Sequence, residues 1–235
     1  MSAPAGGRPP SLPGAGSRPT LIAHGGGNGA GLAREALATH PAFVEVDLWV
    51  RRGRLEARHE RHLPGPLPIL YELWYLAPAP RPPYELDDLL LACQGRTGVF
   101  LDLKNGLGET PQLLRHALLS YGQGVNAVAS SQNWPLLREV KVACPQLDLY
   151  YSIDTPDQFD LFRSVMLHDS LPSGVSCRHS LLDRNAIADF HDAGLAVVAW
   201  TVDDGDRARE LASWGVDAIT TNRVEEIRAA LAPAP

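Results

Sequence analysis

FVEVDLWV (residues 43–50) and VFLDLK (residues 99–104) decide how this chain folds. Both are short runs of β-branched and apolar residues of strand length. Side chains alternate sides along a strand, so Glu45 and Asp47 project from one face of the first run while Val44 and Val46 project from the other. Asp102 and Lys104 repeat the arrangement in the second. An apolar face covered by helices suits a strand of a parallel sheet, and two acids on the opposite face are unusual there.

Six further runs extend the pattern: TLIAH (20–24), VNAVASS (125–131), LDLYYSI (147–153), SGVSC (173–177), LAVVAWTV (195–202) and VDAITTN (216–222). Amphipathic stretches separate most of them. Thr110-Pro111 and Thr155-Pro156 each place a capping oxygen before a proline at a helix start. Helical spacing follows, through Leu113, Leu114, Ala117, Leu118 and Tyr121 after the first and Phe159, Phe162 and Met166 after the second. Asn222 likewise precedes Val224, Ile227 and Leu231, the apolar face of a final helix. Eight strands, eight potential helices and about 215 ordered residues predict a single-domain (β/α)8 TIM barrel, with an open doubly wound sheet as the alternative.

The remaining segments bound the domain. Residues 1–19 hold nine Gly or Pro and little to bury, which predicts a disordered tail. After Val50, RRGRLEARHE reads as a hairpin turning at Gly53. A segment with seven prolines from Pro64 to Pro83 follows, so residues 61–83 read as a rigid, irregular excursion that lids or shapes a site.

With 21 Lys+Arg against 27 Asp+Glu, the formal charge of −6 argues against a nucleic-acid partner. No apolar run is long enough for a transmembrane segment, and the N-terminus lacks a secretory signal's apolar region, so a cytoplasmic protein is expected. Cys93, Cys144 and Cys177, at spacings of 51 and 33, read as reduced buried thiols.

In a barrel, residues at the C-terminal strand ends share one mouth. Glu45, Asp47, Asp102 and Lys104 would meet there, and like charges so close call for a cation among them. Oxygen ligands favour a hard divalent cation, Mg2+ or Ca2+, over zinc. A carboxylate cluster neutralised by Lys104 alone is the other reading. His24 ends the first strand and His59 ends the hairpin, so two imidazoles overlook the same mouth, suited to moving protons near neutral pH. Gly25-Gly26-Gly27 permits positive φ and close backbone approach, with amides open to an anionic oxygen or simply a tight turn. Trp200 ends the seventh strand as an apolar wall or as core. Asp203 and Asp204 read as helix caps, Arg51, Arg52 and Arg54 as a solvated hairpin, and the other six histidines as surface or packing residues.

Taken in order, AHGGG, VEVDLWV, His59-Glu60, LDLK, VVAWTVDD and WGVDAITTN resemble the glycerophosphodiester phosphodiesterase family over about residues 20–231. The resemblance implies a (β/α)8 barrel, a divalent cation held by Glu45, Asp47 and Asp102, an acid–base pair of His24 and His59, and Lys104 as a partner of the phosphate. It implies a small-molecule phosphodiester substrate, hydrolysed to a phosphomonoester (glycerol phosphate) and an alcohol, with Gly25 and Trp200 among the substrate-binding positions. The chain departs from the family pattern in several places. Gly25 stands where an arginine usually follows the first histidine, NGAGLARE replaces a Pro-Glu-Asn-Thr-like segment, Glu60 follows His59 in place of Asp, and Asp102 replaces the commoner Glu. A catalytically silent barrel binding a phosphorylated ligand and a metal-dependent lyase or aldolase are the rival readings. The sequence leaves the oligomeric state open.

Overall fold

The computed structural model describes residues 18–63, 68–72, 74–104, 108–166 and 172–233. Eight parallel strands close into a barrel: β1 (Thr20–Ala23), β2 (Phe43–Arg51), β7 (Gly98–Leu103), β8 (Ala127–Ser131), β9 (Asp148–Ile153), β10 (Gly174–Arg178), β11 (Ala196–Trp200) and β12 (Ala218–Thr221). β1 pairs with both β2 and β12, which excludes the open sheet. All eight runs read from the sequence are barrel strands. Eight helices surround them: α1 (Ala30–Ala38), α2 (Leu86–Cys93), α3 (Thr110–Tyr121), α4 (Trp134–Ala143), α5 (Pro156–Met166), α6 (Arg184–Asp192), α7 (Gly205–Ser213) and α8 (Val224–Ala230).

The alternation along each strand divides the apolar residues into two layers. Val44, Val46, Leu101, Ala129, Leu149 and Val197 face outward into the core shared with the helices. Ile22, Phe43, Phe100, Val128, Tyr150, Val198 and Ala218 pack inside the barrel. Phe100 and Tyr150 touch there with ring centroids 5.7 Å apart. This inner plug fills the lower interior, so the residue two positions further along each strand is lifted towards the mouth.

Local chemistry fixes several helix ends. Asp183 accepts from the Ala186 amide at 2.7 Å to start α6, and Gly194 at φ 79° lies past its end. Thr155 caps α5 reciprocally, since its hydroxyl accepts from the Gln158 amide at 3.3 Å while Gln158 Oε1 accepts from the Thr155 amide at 3.3 Å. Thr110 differs from expectation: it is the first helical residue of α3, with Glu109 at the cap. Asn222 also differs, because Arg223 occupies the cap of α8 and Asn222 is engaged elsewhere.

The connection from β2 to β7 departs furthest from a simple βα loop. β2 continues into β3 (Arg54–Ala57) through a hairpin at Gly53, as its sequence indicated. The proline-rich part is regular rather than irregular: β4 (Arg61–His62), β5 (Ile69–Glu72) and β6 (Tyr75–Pro78) form a three-stranded antiparallel sheet. Pro78 is tolerated because β6 is an edge strand. Of the expected N-terminal tail, residues 1–17 lie outside the described residues, as does His168, and Pro19 is buried against the barrel. All three cysteines are free and buried.

Candidate active site

The upper interior layer is polar almost all the way round. Strand alternation carries Ile22 to His24, Phe43 to Glu45 and Asp47, Phe100 to Asp102, and Val128 to Ser130. The register then sets Asp47 directly opposite Asp102 on β7. Carboxylate oxygens of Glu45, Asp47 and Asp102 lie within 4.8 Å of one another. Glu45 and Asp47 are only 6% and 3% exposed, so the cluster is withdrawn from bulk water.

Each acid is oriented by neighbours. The Gly25 amide donates to Glu45 Oε2 at 2.5 Å, from a backbone at φ 59°. That amide therefore positions a carboxylate. Gly27 lies so close to β2 that a Cβ would sit 2.5 Å from that of Val46, so the glycine run presses the loop onto the strand that carries the acids. Asn28 brackets Asp47, donating to Oδ2 at 2.7 Å and accepting from the Asp47 amide at 2.8 Å. Ser130 donates to Asp102 Oδ1 at 3.1 Å. Lys104 bridges the pair, 2.7 Å from Asp47 Oδ1 and bonded to Asp102 Oδ2.

The electrostatics are unequal. Burial lifts Glu45 well above the usual carboxylate range, and the charges of Asp47 and Asp102 add to it. Burial also raises Asp102, against the pull of Lys104. For Asp47 burial is outweighed by its hydrogen bond from His59 and by Lys104, so its carboxyl is held below the usual range. Burial opposes the Lys104 charge, yet Asp102 and Asp47 hold it above the ordinary lysine value. With all three carboxylates ionised beside one ammonium, two negative charges would be in excess, an imbalance that adds to burial in raising Glu45 and Asp102. The donor set, all oxygen and underneutralised, fits a hard divalent cation.

Both predicted imidazoles reach this layer. His59 Nδ1 lies 3.1 Å from Asp47 Oδ2 with the side chain 55% exposed, and the bond to Asp47 raises its pKa above the ordinary value. His24 Nδ1 lies 3.0 Å from Asn222 Oδ1. The excursion borders the same rim, where Tyr75 donates to Glu60 at 2.7 Å beside His59. Trp200 is the last residue of β11, with its indole N–H unpartnered among the described residues.

Several residues of the mouth were not singled out from the sequence. Asn28, Ser130 and Asn222 are uncharged, and only the cross-strand geometry shows that they hold the charged groups. Asp203 is not the helix cap expected, a role Asp204 alone fills by accepting from the Arg207 amide at 2.8 Å. Asp203 instead accepts from Asn222 and Thr221. Arg178, three strands from both β1 and β7, pairs with Asp154 and lies over the Trp200 ring at 5.8 Å.

A separate cleft of about 530 Å³, lined by Arg51, Arg52, Arg54, Arg58 and His62 among others, shares none of these catalytic candidates. Three of its arginines are paired, Arg51 and Arg58 with Glu56 and Arg54 with Glu85.

Residues 126–226 match the model of the glycerophosphoryl diester phosphodiesterase family. The matched segment runs from β8 into α8 and carries Ser130, Trp200, Asp203 and Asn222, whereas the acids, Lys104 and both histidines precede it. Similar solved structures share the fold over almost their whole length. A Silicibacter pomeroyi protein assigned as a glycerophosphoryl diester phosphodiesterase is 20% identical, covering 93% of this chain and 94% of that one, with a TM-score of 0.77. An Oleispira antarctica phosphodiesterase, solved with the product sn-glycerol-3-phosphate, is 19% identical, covering 91% and 97%, with a TM-score of 0.72. A glycerophosphodiester phosphodiesterase from Agrobacterium tumefaciens is 19% identical, covering 90% and 99%, with a TM-score of 0.68. No curated protein matches the sequence. At these identities the structures establish the barrel.

Proposed function

We propose that this barrel is a glycerophosphodiester phosphodiesterase, hydrolysing small glycerophosphodiesters to glycerol phosphate and an alcohol with a divalent cation and two histidines. The observation that carries this reading is the meeting of three carboxylates within 4.8 Å, flanked by His24 and His59, at the C-terminal end of one barrel. The product held by the Oleispira antarctica relative supports the same substrate class.

Glu45, Asp47 and Asp102 would hold Mg2+ or Ca2+, and a bound ion supplies charge neutralisation for the phosphoryl oxygens. Lys104 is placed by Asp47 and Asp102 to offer a second positive charge to the phosphate. His24, facing the neutral amide oxygen of Asn222, takes the proton from the attacking water. The water oxygen bonds to phosphorus as the bond to the leaving alkoxide breaks. His59 faces a carboxylate, which favours its imidazolium, and it returns a proton to the alkoxide. Trp200 and Arg178 would contact the far substituent of the diester.

A silent phosphate-binding barrel is the second reading, favoured by Gly25 standing where the family has an arginine and by its amide being engaged with Glu45. Phosphorus NMR of a simple glycerophosphodiester distinguishes the two. The enzyme converts the diester to glycerol phosphate, loses activity on chelation and regains it with Mg2+, Ca2+ or Mn2+. Binding without turnover under every ion would leave the silent barrel. Among the described residues no helix is long and apolar enough to cross a membrane. Buried free thiols suit the cytoplasm, where we place the protein.

A further inference from the structure

The ends of β1 and β12 are locked together, with Ala23 opposite Thr221 and the His24 amide donating to the Thr221 carbonyl at 2.9 Å. Just above that junction three side chains form a chain of hydrogen bonds. Asp203 Oδ2 lies 2.7 Å from Asn222 Nδ2, and Asn222 Oδ1 lies 3.0 Å from His24 Nδ1. The other Asp203 oxygen accepts from the Asn222 amide at 2.8 Å and from the Thr221 hydroxyl at 2.9 Å.

The order of donors along this chain is forced. An ionised carboxylate can only accept, and the hydrogen bonds from Asn222 and Thr221 hold Asp203 below the usual carboxylate range, outweighing burial. Asn222 must therefore turn its amide nitrogen to Asp203 and its oxygen to the imidazole. That oxygen can only accept, so Nδ1 of His24 must carry the hydrogen when the ring is neutral. The lone pair is left on Nε2.

We infer that Asp203 and Asn222 are positioning residues which fix His24 in the Nδ1–H tautomer, with Nε2 kept as the proton acceptor. The inference rests on the reading of His24 as the base. It adds two residues from neighbouring strand ends to that reading, acting through His24 without touching substrate.

Nitrogen-15 NMR of histidine-labelled protein, at alkaline pH where imidazoles are neutral, tests this directly. The His24 signals are identified by their loss in H24A. In the wild type, Nδ1 should show the protonated, pyrrole-like shift and Nε2 the pyridine-like one, and the reverse assignment would overturn the inference without any variant. D203N keeps the shape of the side chain but brings an amide nitrogen to Asn222. Asn222 must then present its oxygen to residue 203 and its own nitrogen to His24, whose Nδ1 becomes the acceptor.

The expected result is an exchanged pair of ring shifts in D203N and a fall in kcat of at least roughly a hundredfold, with KM little changed. The double variant D203N/N222D restores an acceptor facing Nδ1 and should recover both the shift pattern and most of the rate. Unchanged ring shifts in D203N would overturn the positioning role. Exchanged shifts with undiminished turnover would support the tautomer control and instead remove His24 as the base.

Discussion

Two layers of one barrel interior, separated by two residues along each strand, obey opposite rules. The lower layer of Ile22, Phe43, Phe100, Val128, Tyr150, Val198 and Ala218 is apolar and closely packed. The upper layer places Glu45, Asp47 and Asp102 together, with Lys104 as the one permanent countercharge among the described residues. Burying apolar area stabilises the fold, whereas burying like charges opposes it. The lower layer thus supports the upper one, and the chemistry sits where the packing is least favourable.

The largest expected effect lies in the lower layer. Phe100→Ala removes a buried ring that packs on Tyr150 and should cost about 3–5 kcal/mol by denaturant unfolding. A loss under about 1 kcal/mol would show that the plug does not support the mouth. His24→Ala and His59→Ala belong to the upper layer and should each cut turnover by at least roughly a hundredfold, equivalent to about 2.7 kcal/mol, with unfolding midpoints near the wild type. Wild-type-like rates from either variant would remove that imidazole from the mechanism.

The third contrast is in the sign of a pH effect. Because the folded protein holds Glu45 above the ordinary carboxylate range, its contribution to stability is intact below that range and is lost as pH rises through its own raised value. Glu45→Gln stays neutral throughout. In the presence of chelator, Glu45→Gln should melt higher than the wild type on the alkaline side and the two should converge in acid. Parallel melting profiles would mean that Glu45 is not an unfavourably buried charge.

The lower layer and the acids were legible because both follow from strand alternation, which is local. Glu45-x-Asp47 and Asp102-x-Lys104 declare their shared face within three residues. Asn28, Ser130, Asp203 and Asn222 were not legible as site residues, because their meaning depends on partners from other strands. Asn222 meets His24 across 198 residues of sequence, and it looked like a helix cap only because α8 begins nearby. The sequence leaves the Gly25 amide as either open or part of a tight turn, because its partner, Glu45, lies 20 residues away across the β1–β2 junction. The small sheet of β4, β5 and β6 was hidden by prolines, which an edge strand and the entry to a strand both tolerate.

Calorimetric titration of Mg2+ or Ca2+ into the chelated protein tests the central claim that the upper layer is one cation site. The wild type should bind a single divalent ion, and Glu45→Gln combined with Asp47→Asn should abolish that binding while the barrel stays folded. Unchanged binding by the double variant would place the ion elsewhere and contradict the account.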